Sequence, residues 1–120
     1  MKAKITVILL FCIAILSTDL SAQNTCADMI DLVKSKGYGA TYSSYSSDVI
    51  SQVTFYDVTD DSYKTFYFAI VRFKSSYTDY IYQVGSNTKS NYAMNYNDSA
   101  GKAFWNYIEP YSDVLDCGPD

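Results

Sequence analysis

The chain reads as an α+β domain: an antiparallel meander sheet of three or four strands, with an N-terminal helix and two short C-terminal helices packed on it. Three observations carry this expectation. Apolar residues recur at helical spacing between Thr25 and Gly37. They follow strand spacing between Val49 and Val84, and helical spacing returns after Ser86. The connections between the strand-like runs are short, which favours antiparallel neighbours.

The first helix is expected over residues 25–36. Thr25 stands as an N-cap with Asp28 three residues on, in a capping-box arrangement. Met29, Ile30 and Val33 mark its apolar side, and Gly37 stops it in the manner of a C-terminal glycine. Tyr38 to Ser47 is rich in Tyr, Ser and Thr and reads as strand or loop. Val49 to Val58 alternates, with Val49, Val53 and Phe55 on one side and Gln52 and Thr54 on the other. Thr59-Asp60-Asp61-Ser62 is a turn.

Lys64 to Phe73 is apolar on both faces, with Phe66, Phe68 and Ile70 opposed to Tyr67, Ala69, Val71 and Phe73. Such a strand belongs in the middle of a sheet covered on both sides. Lys74 to Asp79 turns the chain, and Tyr80 to Val84 returns. Ser86 or Asn87 can cap a helix reaching about Tyr96. Ser99 caps another from Ala100 to Glu109, which Pro110 closes.

The N-terminus carries an export signature. Lys2 and Lys4 precede an apolar run from Ile5 to Leu16, and Ser17 to Ala22 is small and polar. Twelve residues fall short of the roughly 20 that cross a bilayer, so a cleaved leader over residues 1–22 is expected rather than an anchor. Residues 23–120 then form one small domain in the periplasm or outside the cell. Losing Cys12 leaves Cys26 and Cys117, which in an oxidising compartment read as a disulfide between the two ends.

Composition narrows the function. The whole chain has net charge −4, and loss of Lys2, Lys4 and Asp19 makes it −5. An acidic surface disfavours a nucleic-acid partner. The absence of histidine removes the commonest general base and metal ligand together. Asp57, Asp60 and Asp61 share a turn, but they lack the alternating ligands, central Gly and distal Glu of an EF-hand loop. No cofactor, metal or catalytic residue is expected.

The asset that stands out is 13 tyrosines. Tyrosine joins apolar area to a polar tip, which suits both recognition and packing. Tyr77, Tyr80 and Tyr82, on or beside one strand, and Tyr42 and Tyr45, near the first, form a candidate binding surface for a glycan or a protein.

A family-like order runs over roughly half of the chain, from Val49 to Tyr111. Val53 and Phe55-Tyr56 lie on one strand, a hydrophobic strand follows, and then Tyr80-Ile81-Tyr82-Gln83-Val84. A Tyr-bearing helix precedes Ser99-Ala100-Gly101-Lys102-Ala103-Phe104, with Asn106, Ile108 and Tyr111 beyond. Over about residues 49–111 this order resembles the KTSC domain, a small family also found attached to some lysyl-tRNA synthetases. The family usually has Pro after the Val, where this chain has Gly85. The resemblance implies a small domain without established enzymatic activity, for which nucleic-acid binding has been suggested.

Independently of the family, Ser99 serves as a cap, Gly101 allows close helix approach, and Phe104 enters the core. The expected function is a non-catalytic exported module that binds through a tyrosine-rich surface. An envelope inhibitor or immunity-type protein, a nucleic-acid-binding KTSC domain and a hydrolase with an unrecognised site are the alternatives.

Overall fold

A computed structural model describes residues 21–119, with side chains described from Thr25 onward. The leader expected at residues 1–22 lies outside the described residues except for its last two positions. Helix α1 (Ser21–Lys36) is followed by strands β1 (Ala40–Ser43), β2 (Ile50–Thr59), β3 (Thr65–Phe73) and β4 (Asp79–Val84). Helices α2 (Thr88–Asn95) and α3 (Ala100–Tyr107) come next, then a 3₁₀ turn (Glu109–Tyr111) and the single-turn α4 (Ser112–Leu115). The four strands form one antiparallel sheet in chain order. This is the α+β meander that the spacing predicts.

The sheet is covered on both faces, and β3 explains why. Ala69 and Val71 point to the face under α2 and α3, together with Val53, Phe55, Tyr82 and Val84. Phe68 and Ile70 point to the other face, together with Ile81, under Val33 of α1 and Cys117. Alternation on a central strand thus supplies two cores.

Several local expectations are revised. Helix α1 begins at Ser21, so Thr25 lies inside it rather than capping it. Gly37 does not have a positive φ, so it is not a left-handed helix stop. Instead a side chain there would press on the Asp57 carbonyl, with a Cβ only 2.9 Å from its oxygen.

Val49 is 46% exposed, whereas Ile50 is fully buried beside Val53 and Phe55. The register shift between Ile50 and Gln52 is the reason. A bulge inserts one residue into the strand and reverses its parity, so the inward position moves from Val49 to Ile50.

The α2 cap also differs. Asn87 is the N-cap position but makes no side-chain cap bond, and Ser86 does not serve either. Thr88 does the work: its hydroxyl accepts from the Gly85 N–H at 3.1 Å, and its own N–H donates to the Gly85 carbonyl at 3.2 Å. A proline at position 85 would have no N–H to give. Gly85 therefore closes this turn through both of its backbone bonds to Thr88.

Candidate functional site

The disulfide is formed as the cysteine count predicts. Cys26 of α1 and Cys117 of the C-terminal segment are bonded, with Cα atoms 5.8 Å apart across 91 residues of sequence. It fastens α1 to the C-terminus over the Phe68–Ile70–Ile81 face. Such a bond is compatible with an oxidising compartment. Among the described residues no helix is long and apolar enough to cross a membrane.

The five tyrosines do not form one surface. Tyr82 is 3% exposed and packs against Phe104, with ring centroids 5.7 Å apart. Tyr80 packs on Phe73, and Tyr42 sits edge-on to Phe55, Tyr92 and Tyr96. These three serve the core, because β1 and β4 turn their even-numbered residues toward α2 and α3. Tyr45 and Tyr77 are fully displayed instead, at 92% and 93% exposure. Both lie in connections at the same end of the sheet, Tyr45 between β1 and β2 and Tyr77 between β3 and β4. Tyr38 and Tyr63 are as exposed at the opposite end.

The motif around α3 divides likewise. Ser99 caps the helix, its hydroxyl accepting from the Lys102 N–H at 3.2 Å. Phe104 is buried, also in edge contact with Phe73. Gly101 meets no backbone: a Cβ there would lie 3.9 Å from the Val49 side chain, an ordinary contact. Close approach therefore does not require glycine at this position.

The Asp57–Asp61 turn is occupied by its own chain. Asp60 Oδ1 accepts from the Ser62 N–H, the Ser62 hydroxyl and the Lys64 N–H. The Lys64 N–H first and the Ser62 hydroxyl second hold its carboxyl below the usual carboxylate range. Among the described residues no group of three His, Cys, Asp or Glu side chains could hold a metal ion.

A groove of about 440 Å³ opens at the end that carries Tyr45. One wall is the β1–β2 connection from Ser43 to Val49, and the other is the α2–α3 connection from Tyr96 to Gly101. The first wall is ordered by its own hydrogen bonds. Ser47 Oγ accepts from the Val49 and Ile50 N–H groups, the Ser44 N–H donates to the Ser51 carbonyl, and Lys74 Nζ donates to the Tyr45 carbonyl at 3.0 Å.

Two hydroxyls, Ser44 Oγ on the β1–β2 connection and Tyr92 OH of α2, are buried beside one another. Burial pushes the Tyr92 hydroxyl up to about 12. The neighbouring Ser44 side chain partly offsets that rise by hydrogen bonding.

Sequence reasoning placed Tyr45 in a candidate surface but missed the groove. The Ser-rich run 43–47 and Asn97-Asp98-Ser99 each read as ordinary loop chemistry. Only β1's place at the sheet edge brings the two loops together. The ion pairs of Asp79 were also missed. Arg72 pairs with Asp79 across the β3–β4 ladder, at 2.9 Å from Nε, and Lys34 of α1 joins at 3.3 Å. Opposite charges flanking a tight connection were the signal that could have found Arg72 and Asp79.

No family model, curated protein or solved structure matches this chain.

Proposed function

We propose that this chain is an exported, non-catalytic binding module of KTSC type, and that its recognition surface is the groove between the β1–β2 and α2–α3 connections, with a glycan as ligand. The observation that carries this reading is Tyr45, 92% exposed on the wall of a groove whose lining combines serines, Asn97, Asp48 and Asp98 with Val49, Tyr96, Ala100 and Gly101. An exposed aromatic ring beside clustered hydroxyls and carboxylates matches a sugar ring, which is apolar on its C–H face and polar at its edge. The volume lies within the range of about 300–1,000 Å³ common to small-molecule sites. A protein partner would favour a drier, more apolar centre than this lining offers. The disulfide and the apolar N-terminal run support export.

The test is a glycan array probed with the disulfide-bonded protein, followed by calorimetric titration of the hits. Tyr45→Ala is expected to weaken binding about tenfold, the loss of one aromatic contact of roughly 1.4 kcal/mol. Tyr63→Ala, at the opposite end, is expected to leave it unchanged. An array without hits, or hits that Tyr45→Ala binds equally well, would overturn the reading.

A further inference from the structure

We infer that this chain associates with a second copy of itself as a two-fold dimer, strand β1 pairing antiparallel with β1 of the other copy so that two four-stranded sheets become one. The dimer is independent of the ligand reading above.

The two edges of the sheet are treated differently. At β4 the C-terminal segment wraps the edge. Leu115 and Cys117 pack with Ile81 on one face, and Gly118 lies against the Tyr82 ring on the other, where a Cβ would come 3.0 Å from the hydroxyl oxygen. Asp79 adds a charge at the start of that strand, held by Arg72 and Lys34. β1 has no such cover. It pairs with β2 on one side, and among the described residues no other segment hydrogen-bonds to its outer side. An open edge is a template for another strand, and charged residues or proline are the usual defence. The run from Gly37 to Ser47, which contains β1, has neither.

One bond fixes which backbone groups are free. The Ser44 N–H donates to the Ser51 carbonyl, toward β2. In an antiparallel ladder successive residues bond to opposite sides, so Tyr42 and Ala40 also bond toward β2. The N–H and C=O groups of Thr41 and Ser43 therefore point outward. A two-fold axis through Tyr42 sets Thr41 of each copy opposite Ser43 of the other, and each such pair exchanges two hydrogen bonds. The edge is its own complement.

The side chains agree with that register. Thr41 and Ser43 are exposed, small and uncharged, and paired hydroxyls across strands are favourable. On the other face the axis brings the two Tyr42 rings together and continues the Tyr42–Tyr92–Tyr96 cluster across the seam. The shortness of β1, four residues, works against pairing and keeps the seam small, so the association is reversible.

The experiment is sedimentation velocity of the disulfide-bonded protein over a rising concentration series, which is expected to show a monomer–dimer equilibrium. Both copies carry the same net negative charge and the seam carries none, so added salt should tighten the dimer. In the unaltered protein, amide exchange at Thr41 and Ser43 should slow as concentration rises. Thr41→Lys and Ser43→Glu each set like charges across the axis and should weaken the dimer about tenfold or more. Mixing the two variants sets opposite charges face to face and should restore a mixed dimer. Ser35→Lys on α1 adds the same charge away from the edge and should leave the dimer unchanged.

A monomer at every concentration would overturn the proposal. So would a dimer in which the Thr41 and Ser43 amides exchange as fast as in the monomer, a result that needs no variant to fold. A dimer loosened by salt would be ion-paired and would overturn the uncharged seam. Variants that circular dichroism shows folded but whose mixture stays monomeric would overturn the register through Tyr42.

Discussion

The two faces of the sheet are stabilised in different ways. Among the described residues, twelve of the seventeen buried apolar residues lie between the sheet and α2/α3, and five lie under α1 and the C-terminal segment. The α2/α3 face interlocks aromatic rings: Tyr42, Phe55, Tyr92 and Tyr96 in one group, and Phe73, Tyr80, Tyr82 and Phe104 in another. Five of the six largest fully buried side chains belong to it. The α1 face buries only Val33 of its helix, with Met29 and Ile30 half-buried. A helix with so little buried area depends on something besides burial, and here it is the bond from Cys26 to Cys117. One face is held by packing, the other by packing plus a covalent clamp.

Removing the clamp should break this comparison most. Closing a loop of 91 residues removes unfolded-state entropy worth roughly 4–5 kcal/mol. Cys26→Ser with Cys117→Ser is therefore expected to destabilise the domain by about that amount. Amide exchange should quicken first in α1 and the C-terminal segment, with β2, β3 and α3 following only at global unfolding. Uniform quickening of all elements would show that the two faces unfold as one.

Alkali should act on the other face. Burial raises the hydroxyls of Tyr82 and Tyr92 to about 12, with Glu109 adding to the rise at Tyr82, and both belong to the α2/α3 core. Between pH 10 and about 12 the unfolded chain has lost these protons while the folded one retains them. The stability they contribute is therefore whole below pH 10 and is lost as pH rises through that window. Thermal melts across it should show a falling Tm, and Tyr82→Phe with Tyr92→Phe should flatten the fall. A Tm independent of pH there would contradict the burial of these hydroxyls.

The smallest effect is expected at Lys34. Its pair with Asp79 ties α1 to the sheet, but the lysine side chain is 45% exposed and Asp79 keeps Arg72. Lys34→Ala should cost at most about 0.5 kcal/mol by denaturant titration. A cost of several kcal/mol would mean that charge, rather than the disulfide, seats the helix.

Much of this architecture was readable in the chain, and the failures are instructive. The β3 run Phe66 to Phe73 announced a strand apolar on both faces, and two such faces require two covers. Cys26 and Cys117 announced their own partnership once Cys12 was assigned to the leader. Val49 was misread because the bulge beside it changes parity without leaving a mark in the residue types. Tyr80 and Tyr82 were misread because tyrosine's apolar ring and polar tip suit a core under α3 as well as a recognition surface. Neither position could be decided without knowing what lies above the strand.

Local pattern by itself determined the class of fold, the strand sequence, the Ser99 cap and the disulfide, because each depends on periodicity, capping chemistry or cysteine number. Only the tertiary structure decided which tyrosines face solvent and where the groove lies. Exposure belongs to a side chain together with its covering layer. The groove exists because an edge strand and a helical connection, about fifty residues apart in sequence, end at the same place.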